Sequence, residues 1–221
     1  MSYLVSTFLL VFAAMLPIVN PAGSALIFYD LTKHLSPQAR GALARLIAIY
    51  SFVILNGSLY VGAYLLAFFG ISIPVLRVAG GLIVAAAGWR FLMTQETDDT
   101  AEASEATASA PSGQYLALAF YPLTLPLTTG PGTISVMIAL GTDQPANESI
   151  EQRVAFALAA LAATSVMALV IWAAYAFAGR IQRVLGNTGT MVALRLSAFI
   201  LFCIGIQILW NGAAELIRSV E

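Results

Sequence analysis

Charged residues are scarce in this chain of 221 residues. They make up 10% of the sequence, whereas hydrophobic residues make up 60%, and the mean hydropathy is +0.88. Soluble domains carry about 25% charged residues. The composition therefore predicts an integral membrane protein and excludes an ordinary water-soluble domain. The formal net charge of −1 gives no indication of nucleic-acid binding.

Reactive side chains are scarce as well. The chain has one cysteine, Cys203, within an apolar run, and one histidine, His34. These numbers exclude a disulfide framework and a Cys–His metal cluster. The sequence also lacks paired carboxylates, a Ser–His–Asp set, a His-Glu-x-x-His motif and a phosphate-binding glycine loop. We predict a protein that is not an enzyme and that uses no cofactor.

Long stretches without charge indicate the membrane spans. They cover residues 1–29, 46–76, 106–142, 154–179 and 196–214, and a spanning helix needs about 20 mostly apolar residues. A sixth apolar segment, 74–94, has Arg77 and Arg90 near its ends, where long side chains can reach the interfaces. The sequence therefore predicts an all-α integral membrane protein with six transmembrane helices.

The chain repeats its plan on either side of an acidic segment. Residues 1–93 and 115–221 are predicted to form two repeats of three helices, joined by a flexible cytoplasmic linker over 94–114. Each half has, in the same order, a broken span, a helix opened by a serine and a span that begins near an arginine. Because three spans is an odd number, the second repeat is expected to be inverted relative to the first, with helices 1 and 4 broken.

Two of the predicted spans contain residues that interrupt a helix. Proline removes an N–H group and glycine permits unusual dihedral angles, so both breaks free backbone groups that need polar partners inside a bilayer. A half-helix beginning at Pro131 would point its amides and the positive end of its dipole toward the membrane midplane. The predicted solute-binding residues are those of the two breaks: Asn20, Pro21, Gly23, Ser24, Thr128, Thr129, Gly130, Pro131, Gly132 and Thr133.

Lysine and arginine are distributed unequally between the two sides of the predicted spans. One side has seven: Lys33, Arg40, Arg45, Arg90, Arg180, Arg183 and Arg195. The other side has three: Arg77, Arg153 and Arg218. The positive-inside rule places the first group in the cytoplasm. Both termini are then expected to face the periplasm.

The two breaks and the opening of the second helix resemble the signature segments of a known family. Asn20-Pro21-Ala22-Gly23, Leu35-Ser36-Pro37, Tyr121-Pro122-Leu123 and, above all, Pro126-Leu127-Thr128-Thr129-Gly130-Pro131-Gly132-Thr133 look like those of the MarC family (UPF0056) of bacterial inner-membrane proteins. The resemblance extends over essentially the whole chain, although the long acidic linker departs from it. It implies six spans in the inner membrane and, through distant similarity to LysE-type amino-acid exporters, transport of a small solute.

Three functions fit this sequence. The first is a transporter of a small polar solute, an amino acid by resemblance, with amides after Pro131 binding the carboxylate and the Asn20 carbonyl binding the ammonium group. The second is a selective channel, since Asn20-Pro21-Ala22 matches the Asn-Pro-Ala tripeptide of aquaporins. The third is a non-transporting membrane factor. The expected partners are a small-molecule solute and the lipid bilayer, with no nucleic acid, and a homo-oligomer is compatible with the sequence.

Overall fold

A computed structural model describes residues 3–93, 115–142 and 149–219, and these ranges contain helices and no strand. The helices of the first half are α1 (Tyr3–Val19), α2 (Pro21–Thr32), α3 (Pro37–Phe68) and α4 (Ile73–Met93). In the second half, α5 (Tyr115–Leu118) continues into a π-helical segment, Ala119–Thr128, called here the π segment, and α6 (Pro131–Thr142), α7 (Ile150–Ala176) and α8 (Ala178–Arg218) follow. The predicted linker, 94–114, lies outside the described residues.

Five helical stretches in the described ranges are long and apolar enough to cross a membrane. They are α1 with α2 taken together (Tyr3–Thr32), α3, α4, α7 and the part of α8 over Thr188–Arg218. The all-helical, multi-pass prediction is therefore confirmed. The predicted fourth span is divided between the π segment and α6, and α6 has only 12 residues, which is too short to cross a bilayer alone. The six-span inverted repeat stays a prediction.

Serine residues cap the starts of α3 and α7, as the sequence predicts. The Ser36 hydroxyl accepts a hydrogen bond from the Ala39 N–H at 3.2 Å, and Pro37 occupies the first helical position. Ser149 and Gln152 form a complete capping box at the start of α7. These local signals fix where α3 and α7 begin.

The last helix begins earlier than its charge pattern predicts. The sequence places the start of the span near Arg195, whereas α8 begins well before it and bends at Gly186, with φ 65° and ψ 179°. Only glycine adopts this backbone conformation without strain. After the bend, Thr188–Arg218 forms the candidate span. Near its end, Glu215 forms an ion pair with Arg77 of α4.

The broken segments of each half pack against the intact helices of the other half. α1 and α2 contact α7, whereas the π segment and α6 contact α3. In addition, α2 contacts α8 and α6 contacts α4. The core that these contacts enclose is apolar and includes Met15, Phe28, Ile47, Met167 and Ile171, all fully buried. This packing brings the two breaks together and buries most of their residues.

Glycines allow α4 and α8 to pack backbone against backbone. Gly81 and Gly88 on α4, and Gly205 and Gly212 on α8, are spaced about two turns apart along their helices. A methyl group added at Gly205 would overlap the backbone of Ala85, and at the other three positions it would lie within 2.8 Å of the facing helix. Small residues commonly permit such close approach in membranes. The sequence contained these glycines, but only the fold identifies which helices they join.

Candidate functional site

The first break lies at Asn20, between α1 and α2. Its backbone is left-handed, with φ 44° and ψ 61°. Asparagine tolerates this conformation because its short side chain can hydrogen-bond locally. The Oδ1 atom of Asn20 accepts a hydrogen bond from the Gly23 N–H at 3.2 Å, and Pro21 occupies the first position of α2. Asn20 therefore both turns the chain and caps the second half-helix.

The π segment is shaped by a tetrapeptide pattern that occurs twice. Tyr-Pro-Leu-Thr over 121–124 is followed by Leu-Pro-Leu-Thr over 125–128. Proline drives the preceding residue out of the helical region. Accordingly, Tyr121 (φ −129°, ψ 127°) and Leu125 (φ −110°, ψ 119°) are extended. Pro122 and Pro126, four residues apart, thus interrupt this segment twice before it ends.

Threonine hydroxyls supply hydrogen bonds within the interrupted segment. Thr124 donates to the Ala119 carbonyl at 2.6 Å, and Thr128 donates to the Leu123 carbonyl at 2.7 Å. Thr124 and Thr128 are buried, so these bonds give each buried hydroxyl an acceptor. The segment ends at Thr129 (φ −115°, ψ 72°), whose N–H bonds to the Thr124 carbonyl at 2.9 Å. α6 then begins at Pro131, as predicted.

The two breaks meet at Ser24. Its hydroxyl lies 3.0 Å from the Val19 carbonyl at the end of α1 and 3.3 Å from the Leu127 carbonyl in the π segment. A serine hydroxyl has one hydrogen, so the two carbonyls share a single donor. Ser24 is 6% exposed. A direct, buried contact therefore joins the first broken segment to the second.

Tyr175 of α7 contacts both α2 and the π segment. Its hydroxyl is 2.7 Å from the Thr128 hydroxyl, and its ring stacks on Phe28 of α2 with ring centres 4.6 Å apart. Tyr175 is not among the predicted site residues, and a tyrosine near the end of a span is also typical of the interfacial aromatic belt. No signal in the sequence pairs it with Thr128.

α3 contributes two further polar contacts to the second half. The Ser51 hydroxyl lies 3.1 Å from the Thr129 hydroxyl, and the Asn56 amide donates to the Thr164 hydroxyl of α7 at 3.1 Å. Ser51, Thr129 and Thr164 are fully buried. Such side-chain hydrogen bonds fix the relative position of neighbouring membrane helices. Sequence analysis predicted Thr129 as a site residue but not its partner.

Four other predicted residues are buried at the starts of α2 and α6: Pro21, Gly23, Gly132 and Thr133. Gly23 lies against Ser197 of α8, whereas Gly132 lies against Val84 of α4. Because α4 and α8 pack together, the N-terminal ends of both half-helices contact the same helix pair. The two starts therefore share one environment in the fold.

The remaining predicted residues are more accessible. Asn20 and Gly130 are half-buried, and Pro131 is exposed. Around the breaks the available groups are neutral hydroxyls, an amide and backbone atoms, which suit hydrogen bonding to a polar molecule. In the part of the chain that the structure describes, no group of three or more His, Cys, Asp or Glu residues could hold a metal ion.

Comparison with known proteins identifies relatives over nearly the whole chain. The model of the MarC family of integral membrane proteins matches residues 5–217. A "UPF0056 inner membrane protein MarC" from Escherichia coli O1:K1 / APEC is 34% identical over 209 residues, which cover 93% of each chain. The protein of that name from Salmonella paratyphi B (strain ATCC BAA-1250 / SPB7) is 32% identical over 209 residues, again 93% of each chain. No solved structure matches significantly.

Proposed function

This chain belongs to the MarC family and is a multi-pass inner-membrane protein, and from that premise we propose that it transports a small polar solute, an amino acid, across the inner membrane. The observation that carries the proposal is the contact between the two breaks, where Ser24 reaches the Leu127 carbonyl. Interrupted backbone inside a membrane needs protein or a cavity around it. Paired broken helices between two repeats form the solute site of many secondary transporters.

The proposed architecture is six spans in two inverted repeats. In this arrangement α1 with α2 corresponds to the π segment with α6, α3 corresponds to α7, and α4 corresponds to α8. The packing partners support this correspondence, because exchanging the members of each pair converts the contacts of one half into those of the other. Ser51 and Thr164, which both form polar contacts, also lie equally far from the first residues of α3 and α7.

Solute recognition is assigned to the two half-helix starts. Backbone amides after Pro131, at the positive end of the α6 dipole, would bind a carboxylate. The Asn20 Oδ1 atom accepts one hydrogen bond from Gly23 and has a second lone pair for an ammonium group. A zwitterion matches this set of groups because its two charges require one cluster of donors and one of acceptors. Asn20, Gly130 and Pro131 are also the accessible members of the site.

A selective channel is the alternative. Asn20-Pro21-Ala22 matches one aquaporin-type tripeptide, but the second break reads Gly130-Pro131-Gly132. The burial of Ser24 at the contact of the breaks favours a carrier, because a carrier passes through closed conformations and an open pore exposes its lining to water. Purified protein in liposomes distinguishes the two: saturable counterflow of labelled amino acids indicates a carrier, and solute-induced swelling without counterflow indicates a channel.

We further propose that both termini face the periplasm. Seven of the ten lysines and arginines then lie on the cytoplasmic side. Alkaline phosphatase fused after Glu221, which is active only outside the cytoplasm, is expected to be active, and green fluorescent protein at the same position is expected to be dark. The opposite pair of results would reverse the orientation and leave the relation between the two halves unchanged.

Substituting Pro131→Ala tests the second break. Alanine restores an N–H group and allows α6 to extend toward the π segment, which withdraws the free amides from the proposed site. We expect solute uptake to fall about tenfold, the effect of losing roughly 1.4 kcal/mol of binding, while the melting temperature stays constant or rises. Uptake in liposomes and thermal unfolding in detergent measure the two effects.

Pro37→Ala is the matched control for this substitution. Pro37 also occupies a first helical position, but it follows the Ser36 cap at the exposed start of α3 and belongs to neither break. Its replacement is expected to leave uptake unchanged. If Pro131→Ala lowers the melting temperature and the remaining folded protein transports normally, Pro131 has a structural role only and the solute site lies elsewhere.

A further inference from the structure

The outer surface of the last span is unusually exposed. In the most apolar stretch of Thr188–Arg218, 11% of the residues are buried. In the corresponding stretches of the other four candidate spans, 22% to 39% are buried. Five residues on one side of this helix, at helical spacing, are all exposed: Leu196, Cys203, Gln207, Trp210 and Asn211. We call these five residues the amide face.

Two amide side chains of this face lie at the depth of the hydrocarbon. Arg195 and Glu215 mark the ends of the uncharged part of the span, and about 30 Å of helix separates them, which matches the thickness of the hydrocarbon layer. Gln207 then lies about 3 Å from the midplane and Asn211 about 9 Å from it. Exposed amides at these depths contact lipid in an isolated subunit.

The hydrogen bond between these side chains does not satisfy them. Gln207 Nε2 donates to Asn211 Oδ1 at 2.9 Å, but two amides together have four N–H hydrogens and two carbonyl oxygens. Unsatisfied polar groups in hydrocarbon are costly. By contrast, the exposed hydroxyl of Ser165 on α7 has one hydrogen and donates it to the Leu161 carbonyl at 2.7 Å. The amide face therefore has hydrogen-bonding capacity that its own helix does not use.

We infer that the amide face binds the same face of a second copy of this chain and forms a parallel homodimer. The two-fold axis is normal to the membrane, because both copies insert with the same orientation. Equivalent residues then meet at the axis, and Gln207 faces Gln207 of the partner subunit. An amide both donates and accepts, so it can bond to its own copy, and such polar side chains promote association of membrane helices.

The occupant is a second subunit and not lipid, because a lipid chain offers neither donor nor acceptor to Gln207 and Asn211 at these depths. Trp210, 64% exposed, adds a large apolar surface beside them, and aromatic residues are enriched in protein interfaces. This inference does not depend on the proposed transport. The two proposals can fail separately. Transport by a monomer would contradict only the dimer, and a dimer that transports nothing would contradict only the proposed transport.

Cys203 makes the inference testable on the unmodified chain. It is the only cysteine in the sequence, it is exposed, and it lies one turn before Gln207 on the amide face. Molecular iodine, which enters the bilayer and oxidises two facing thiols to a disulfide while it is reduced to iodide, is expected to convert the protein to the mass of a dimer, and Cys203→Ala is expected to prevent this. The matched control carries Cys203→Ala together with Leu169→Cys on the outer side of α7, where Leu169 is 61% exposed; it should remain monomeric.

The second arm measures association without a crosslinker. Fluorescence energy transfer between labelled subunits in liposomes should show that Gln207→Leu with Asn211→Leu weakens dimerisation at least about tenfold, as expected for the loss of two interhelical hydrogen bonds. Crosslinking at Cys203 and at position 169 to the same extent would indicate random collision and overturn the inference. Monomers in liposomes for the unmodified chain, or unchanged association in the double variant, would overturn it too.

Discussion

Replacing Gly205 with valine is expected to cause a large loss of stability. A Cβ atom at this position overlaps the backbone of Ala85 and Val84 on α4, and a backbone cannot rotate away as a side chain can. Overpacking costs about 1–3 kcal/mol and occasionally more. In a membrane, helix association depends on close packing because lipid is as apolar as leucine. Separation of α4 from α8 is therefore the expected result.

The measurement is thermal unfolding in detergent, followed by size-exclusion chromatography of the folded fraction. Gly57→Ala is the matched control, because Gly57 also lies within a long helix and a Cβ atom there meets no other atom within 4 Å. Alanine at such a position is expected to stabilise the protein by about 0.4–1 kcal/mol. Equal melting temperatures for Gly205→Val and Gly57→Ala would mean that α4 and α8 are not in contact.

Removing the Asn20 amide without disturbing the backbone is expected to have the largest effect on transport. Asn20→Leu would not isolate the amide, since leucine at φ 44° is strained by about 1–2 kcal/mol and the loss of the Gly23 cap adds about 0.5–2 kcal/mol. Asn20→Gly keeps the left-handed turn, and glycine as a cap costs only a few tenths of a kcal/mol. The comparison of these two variants separates solute binding from folding.

For Asn20→Gly we expect an apparent solute affinity about tenfold to a hundredfold weaker, the result of losing a hydrogen bond to a charged group of the solute worth about 1.5–3 kcal/mol. Its melting temperature should stay near that of the unmodified chain, whereas Asn20→Leu should melt earlier. Uptake as a function of solute concentration and thermal unfolding give both quantities. Unchanged solute affinity in Asn20→Gly would show that the Asn20 amide has a structural role and does not bind the solute.

Local signals in the sequence predict where α2, α3 and α7 begin, although not where α8 begins. Asn20 with Pro21, Ser36 with Pro37, and Ser149 all act through hydrogen bonds to residues within one turn. For the same reason the start of α6 at Pro131 was predicted correctly. Proline and capping preferences are properties of the backbone, and they do not require tertiary contacts.

The contacts across the breaks could not be predicted in the same way. Ser24 meets Leu127, and Tyr175 meets Thr128, only because α2, the π segment and α7 pack together. The segment 119–128 also contains hydrogen bonds from two threonine hydroxyls to carbonyls five residues earlier. Composition indicates that such a segment is interrupted, but it does not specify the geometry of the interruption.

The single hydrogen of Ser24 determines how the junction between the breaks can come apart. If α2 and the π segment separate, Ser24 keeps the Val19 carbonyl, 3.0 Å away within its own segment, and only the Leu127 carbonyl loses a donor. An ammonium group or a water molecule arriving at Leu127 can replace that donor. The carbonyl of Leu127 is therefore the position at which a solute donor and Ser24 would compete.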